Sequence, residues 1–207
     1  MGRGWYSRKI FPRLLDWSMA QAAFGPLRES LLSQASGAVL EIGFGTGANL
    51  QFYPSHIRSL TAIDPNTGMI PFAHLHVKAG SLPVDLTIGS AECLPFPSAS
   101  FDTIVSTMTL CSVPGLSQTL LDMFRVVKPG GRFLFLEHGQ SPDPPVRRWQ
   151  DRLTPIWKHL GDGCHLNRPM ADAIQAHSWK IQTLERFYLR RIPKPFAYFY
   201  QGVAAKL

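Results

Sequence analysis

The chain has 207 residues, 45% of them hydrophobic, and a formal net charge of +7; that size and apolar content favour one domain with a well-buried core and exclude a disordered chain or a multidomain assembly. A basic balance suits nucleic acid, an anionic membrane or an acidic substrate and does not choose among them. Its distribution is sharper: residues 1–37 hold five basic and two acidic groups, residues 38–140 five and seven, and residues 141–207 eleven and five, so the excess belongs to the flanks.

In chain order, the first 36 residues read as helical. Ile10, Leu14 and Trp17 recur at i, i+4 and i+7 with Phe11 and Leu15 beside them, an apolar stripe surrounded by Arg8, Lys9 and Arg13. Gly25-Pro26 breaks the pattern, and Leu27 to Leu32 resumes it. The start is basic, but Pro12, Arg13 and Asp16 interrupt any apolar export segment, and no run approaches the roughly eighteen apolar residues that span a bilayer. A cytoplasmic protein with peripheral membrane contact through the first helix is the expectation.

From Ala38 the texture changes to short apolar strands alternating with turns and helices. Ala38 to Ile42, Ser59 to Ile63, Val84 to Ile88, Phe101 to Ser106 and Gly131 to Glu137 read as strands, and Leu116 to Val127 as a helix ended by Lys128 to Gly131. This alternation predicts an α/β, Rossmann-like fold: a mostly parallel sheet with helices on both faces. After Ser141 to Pro145 come a basic, Trp-bearing helical stretch from Val146 to about Leu160, a break at Gly161 to Cys164, and a further helix beginning at Arg168 to Asp172. Two closing strands, Ile181 to Leu189 and Phe196 to Ala204, bring the total to seven. The chain thus divides into a helical cap (1–37), a cofactor-binding core (38–140) and a substrate-side cap with closing strands (141–207) within one domain.

The chemistry concentrates where the first strand ends. Gly43, Gly45 and Gly47 form G-x-G-x-G after Glu41, a turn that lets a ligand approach the backbone closely before the chain's next helical turn. A dinucleotide fingerprint wants G-x-G-x-x-G and a phosphate loop wants a terminal Gly-Lys-Ser/Thr; neither fits. An acidic residue there would repel a pyrophosphate but suits a ligand bearing an amine and a sulfonium, which is S-adenosylmethionine. Asp64, closing the second strand 23 residues after Glu41, can accept both ribose hydroxyls.

With Gly89 to Asp102 the chain resembles the class I S-adenosylmethionine-dependent methyltransferases. The resemblance implies that Ala91 and Glu92 flank the adenine, although Ser90 stands where an Asp is often found. It also assigns Glu41, Gly43, Gly45, Thr46, Gly47, Asn49, Asp64, Pro65, Asn66 and Thr107 to the cofactor, with S-adenosylhomocysteine as product. Gly43 to Pro54, Ile63 to Asn66, Thr109 to Val113, Glu137-His138 and Trp157 to Cys164 together look like the microsomal alkyl thiol S-methyltransferases and their bacterial relatives. The last run, Trp-Lys-His-x-Gly-Asp-Gly-Cys, lies outside the shared cofactor core and is therefore specific.

The resemblance implies a small apolar acceptor, a thiol first and a phospholipid amine or quinol second. A non-catalytic sensor that only binds the cofactor is the alternative of another class. A thiol must lose its proton before it attacks. His138, ending the fifth strand, is the first candidate base, and His159 and Asp162 follow. Trp149 and Trp157 are candidates for walls of an apolar pocket or for anchors of their helix. Cys93, Cys111 and Cys164 stand 18 and 53 residues apart with no Cys-x-x-Cys pair and no His at ligand spacing, so neither a disulfide framework nor a metal site is expected. Cys93 and Cys164 read as packed side chains. No Asn/Asp-Pro-Pro-Tyr/Phe signature follows the fourth strand, and no nucleic-acid partner is expected.

Overall fold

A computed structural model describes residues 4–19, 21–80 and 82–207; Arg3 of the basic start lies outside them. One seven-stranded sheet organises the chain in the order β3-β2-β1-β4-β5-β7-β6. The strands are β1 (Ala38–Ile42), β2 (Ser59–Asp64), β3 (Val84–Ile88), β4 (Phe101–Thr107), β5 (Val127–His138), β6 (Lys180–Tyr188) and β7 (Tyr198–Ala205). β1 to β5 run parallel, and β7 is antiparallel to both β5 and β6. The mostly parallel sheet expected from the alternation of strands and helices is present, with its order reversing between β1 and β4, where an open α/β sheet leaves a crevice.

The central strands are apolar on both faces, as parallel strands covered on both sides must be. Leu40, Ile42, Ile104, Phe133 and Phe135 pack with α5 (Leu116–Val126) and α7 (Met170–Gln175). Val39, Val105, Leu134 and Leu136, one residue out of phase, pack on the other face with Leu31 and Leu32 of α3 (Gly25–Leu32). Helix α4 (Ile70–Ala79), opening on Pro71, packs Ala73 against Phe44 and Ala62.

Two expectations change. The N-terminal stripe is not one helix: α1 (Trp5–Lys9) and α2 (Phe11–Met19) are separated at Ile10, where Pro12 lacks the N–H that would continue α1. Leu14 and Trp17 consequently face out, 50% and 73% exposed. Lys128 to Gly131 does not separate α5 from a later strand; β5 starts at Val127, and the extra residues are absorbed as a bulge between the Phe101–Val127 and Thr103–Arg132 pairs, with Gly130 at φ +72°. The basic stretch forms α6 (Pro144–Leu160), which carries Pro155 inside it.

Candidate active site

The carboxyl ends of β1, β2 and β4, roofed by α2, enclose two adjoining cavities. The first, about 430 Å³, is lined by Gly43, Gly45, Asp64, Pro65, Ala91 and Glu92 among others; the second, about 670 Å³, by Cys111, His138, Trp157, Cys164 and Phe199 with the inner face of α2. Phe11, Leu15, Met108 and Ser112 border both, so the two cavities adjoin at these side chains. Met108 is held at φ +54°, with its N–H donating to the Leu136 carbonyl at 2.7 Å. A bulky residue in the left-handed region requires support from its surroundings, and here it stands where the cavities meet.

The glycine turn is a backbone cradle. Gly43 has φ +73°, and a Cβ there would collide with the Thr109 side chain; Gly45 has φ +56°. Asp64 closes the cradle by accepting from the Gly45 N–H at 2.9 Å and the Asn66 N–H at 2.7 Å. These two bonds fix the orientation of the carboxylate at the cavity wall. Glu92 accepts from the Gly115 N–H at 3.0 Å, which joins the start of α5 to the cavity rim.

Behind the turn lies a polar well of about 50 Å³ lined by Arg28, Glu41, Asn49 and Thr107, with Leu15 and Met108 again at its edge. Glu41 is 1% exposed and accepts from Asn49 Nδ2 and the Tyr53 hydroxyl, both at 2.8 Å. Burial raises its pKa to about 7, against the opposing hydrogen bonds. Arg28 faces it from α3, donating to the Met19 carbonyl at 2.7 Å, while its buried Nε and the buried Asn49 Oδ1 have no hydrogen-bond partner among the described residues. Burial lowers the Arg28 pKa, and Glu41 opposes that shift. The sequence offers no signal for Arg28: an arginine in an amphipathic helix reads as solvated.

Several candidate cofactor residues stand away from the first cavity. Glu41, Asn49 and Thr107 belong to the polar well. Thr46 is buried and lines none of the three cavities, its carbonyl accepting from His76 Nδ1 at 2.6 Å. Gly47, at φ +88°, is wedged among the Leu50, Phe44 and His76 side chains. Asn66 turns away to bind α1: its Nδ2 donates to the Ser7 carbonyl at 2.9 Å and Ser7 Oγ at 3.2 Å.

The candidate catalytic residues separate. His138 is 6% exposed and lines the second cavity. Asp162 lines the first cavity and not the second, and Asn66 Nδ2 donates to it at 3.3 Å. His159 lies on the exposed face of α6 and lines neither cavity, because it falls on the opposite side of the helix from Trp157. That tryptophan packs on Phe196 at 4.6 Å between ring centroids and walls the second cavity, whereas Trp149 is 54% exposed.

The structure also corrects the expectation for the cysteines. Cys93 is exposed and not packed. Cys111, His138 and Cys164 converge from the loop after β4, the end of β5 and the turn after α6, with their ligand atoms all within 4.8 Å of one another. His138 Nδ1 is 3.9 Å from Cys164 Sγ, and its buried Nε2 has no partner among the described residues. Contact with Cys164, together with burial, pushes the Cys111 thiol well up, and the same contact lowers Cys164. Sequence spacing conceals the group, since only the folding of β4, β5 and the turn after α6 brings the three residues together.

A seven-stranded sheet with this order, its glycine cradle and the acid closing β2 define the class I S-adenosylmethionine-dependent methyltransferases, and the chain belongs to that family. The family model described as "Methyltransferase domain" matches residues 40–135. Thiol S-methyltransferase TMT1A of Homo sapiens is 31% identical over 219 residues, covering 95% of this chain and 87% of that protein. Thiol S-methyltransferase TMT1B of Rattus norvegicus is 38% identical over 140 residues, covering 63% of this chain; the chain spans 54% of that relative's length. The fold superposes on a SAM-dependent methyltransferase of Methanosarcina mazei with a TM-score of 0.69 at 24% identity, covering 88% of this chain and 97% of that one.

Proposed function

We propose that the chain transfers the methyl group of S-adenosylmethionine to a small apolar thiol. The observation that carries this reading is the adjacency of two unlike cavities, one bearing the glycine turn, Asp64 and Glu92 and the other a more apolar chamber, bordering each other at Met108, with sulfur and imidazole groups on the chamber wall. The names of the human and rat relatives agree with it.

The residues present fit the cofactor. Asp64 would accept the ribose hydroxyls, Ala91 and Glu92 would border the adenine, and the Gly43–Gly45 backbone admits close approach. The charged ends of its amino-acid moiety match the well, carboxylate to Arg28 and ammonium to Glu41 and Asn49 Oδ1. When bound, the cofactor supplies an electrophilic methyl carbon. The chain's task is then to align the acceptor about 3 Å away and exclude water, an effect worth roughly 7 to 11 kcal/mol. Phe11, Leu15 and Met108 do this at the junction. Thiol deprotonation falls to His138 and its sulfur neighbours.

The test is transfer of labelled methyl to a panel of alkyl thiols, phosphatidylethanolamine and quinols. Thiols should be methylated; label confined to the amine or the quinol would replace this reading with the corresponding one, and cofactor binding without any transfer would make the protein a sensor. His138→Ala should cut kcat by about 10²-fold or more with little change in cofactor affinity. Equal values for wild type and variant would remove His138 from the reaction.

No helix among the described residues is long and apolar enough to cross a membrane. Trp5, Leu14 and Trp17 are nonetheless exposed beside Arg8, Lys9 and Arg13, and we propose that this face of the cap lies on an anionic lipid surface, from which apolar acceptors would enter the larger cavity.

A further inference from the structure

We propose that Cys111, His138 and Cys164 form a binding site for a zinc-like divalent metal whose open fourth position, facing the larger cavity, takes the acceptor thiol. The proposal rests on the thiol acceptor argued above and says how its proton is removed.

Four observations converge. The donor set is two sulfurs and one imidazole, the combination that suits a borderline-soft, four-coordinate metal and leaves one position free for a ligand. The three ligand atoms lie within 4.8 Å of one another, against about 3.5–3.8 Å for ligands around tetrahedral zinc with bonds of about 2.0–2.3 Å. Finally, all three residues line the cavity, so the vacant coordination direction opens onto the acceptor and not into the core. The His138 ring is buried, its Nδ1 faces Cys164 Sγ at 3.9 Å, and its Nε2 has no partner among the described residues. Such a ring lacks what usually justifies burying imidazole, and ligation would supply it.

The electrostatics are also suitable. Two thiolates and a neutral imidazole balance a divalent ion, and a bound acceptor thiolate leaves one negative charge. Arg168 stands close enough to both cysteines to sense their charge, and it is fixed there by donating to the Val113 carbonyl at 2.6 Å and to the Leu110 carbonyl.

The step balances without a further reagent. The thiol binds through sulfur, the metal–sulfur bond forms as the S–H bond breaks, and the proton leaves to solvent. A sulfur lone pair then attacks the methyl carbon while the carbon–sulfonium bond breaks, giving S-adenosylhomocysteine and a thioether. The neutral thioether is a weaker ligand than a thiolate and departs. His138 and the two cysteines thus promote thiol deprotonation as metal ligands, which keeps the loss of turnover expected for His138→Ala.

Cobalt(II) titration of the reduced full-length protein without oxygen tests the site. One equivalent should give sulfur-to-cobalt charge-transfer bands and the intense visible bands of tetrahedral cobalt, and an alkyl thiol added without cofactor should shift them. Cys111→Ser and Cys164→Ser should each weaken binding at least 100-fold, and Cys93→Ser should not. If the serine variants fail to fold, alkylation of wild type mapped by mass spectrometry replaces them: Zn²⁺ should protect Cys111 and Cys164 and leave Cys93 reactive. No metal uptake by protein with three titratable thiols overturns the proposal, as does a Cys111–Cys164 disulfide that binds no metal after reduction. Full thiol turnover by metal-free protein also overturns it while leaving the thiol reading intact. Tight binding that the variants abolish, with a thiol-induced spectral shift but no thiol methylated, supports the site and sinks that reading instead.

Discussion

Asp64 ties the glycine cradle together, because its carboxylate receives the Gly45 and Asn66 N–H groups, and it is the acceptor proposed for two ribose hydroxyls. At about 1–1.5 kcal/mol per hydrogen bond, Asp64→Ala should raise the dissociation constant for S-adenosylmethionine by about 30- to 150-fold in calorimetry. Unchanged affinity would assign the ribose to another residue. Glu41 yields a pH dependence. Its pKa rises from 4.5 to about 7 on burial, so the folded chain holds that proton more tightly than the unfolded chain. The associated stability is fully present below pH 4.5 and is lost as the pH rises through about 7. Glu41→Gln keeps a neutral acceptor and removes the titration. In urea melts of the cofactor-free protein, wild type should therefore lose up to about 3 kcal/mol relative to the variant between mildly acidic and mildly alkaline pH. A difference that stays constant with pH would mean that Glu41 remains ionised in the fold.

The cap helices depend on a few specific links to the sheet. Gly68 approaches the Arg8 backbone so closely that a Cβ would overlap it, and Asn66 beside it binds the Ser7 carbonyl and hydroxyl. Asn66→Ala leaves that buried carbonyl unpaired, a cost of about 1–3 kcal/mol. It should release α1 and α2 selectively: amide exchange within Trp5–Met19 should accelerate about tenfold or more while β1 and β4 keep their protection. Uniform acceleration across the sheet would instead make the cap part of the global folding unit. These contacts also explain what sequence could and could not convey. β1, its glycine turn and the acid closing β2 are legible because the strand, the turn and the next strand's end are each local patterns. The Ile10 break is partly legible, through Pro12. Arg28 and the Cys111–His138–Cys164 group are not, since their partners come from separate elements; His138 and Cys164 are 26 residues apart and meet only because the ends of β4 and β5 and the turn after α6 converge. Asp162 stands apart from its sequence neighbours for a related reason: Gly161 and Cys164 line the larger cavity and Asp162 the smaller one.

Charge and apolar exposure coincide on the cap in a way that the core does not share. Residues 38–140 carry five basic and seven acidic groups, whereas residues 1–37 and 141–207 carry the excess of cations. On α1 and α2 those cations flank Trp5, 71% exposed, and Trp17, 73% exposed, with half-exposed Leu14 between them, and Leu14 and Trp17 also border the larger cavity. Two indoles beside Arg8, Lys9 and Arg13 have the composition of an interfacial helix: apolar area inserts among the headgroups and basic groups meet anionic lipid. Solvated cations that merely keep the cap soluble would need no indoles among them. The two explanations diverge on vesicles. Wild type should float with anionic phosphatidylserine-containing liposomes and much less with neutral ones. Trp5→Ser with Trp17→Ser should lower the partition coefficient about tenfold or more, equivalent to about 1.4 kcal/mol or more, while leaving cofactor affinity unchanged because neither residue lines the cofactor cavity. Flotation that falls with added salt but ignores the tryptophans would reduce the cap to an electrostatic surface, and no flotation of wild type would leave the larger cavity to fill from water. In the lipid-bound case, the same double variant should also raise KM for long-chain thiols presented in vesicles more than for short, water-soluble ones, because only the former reach the cavity through the face that these indoles would hold against the membrane.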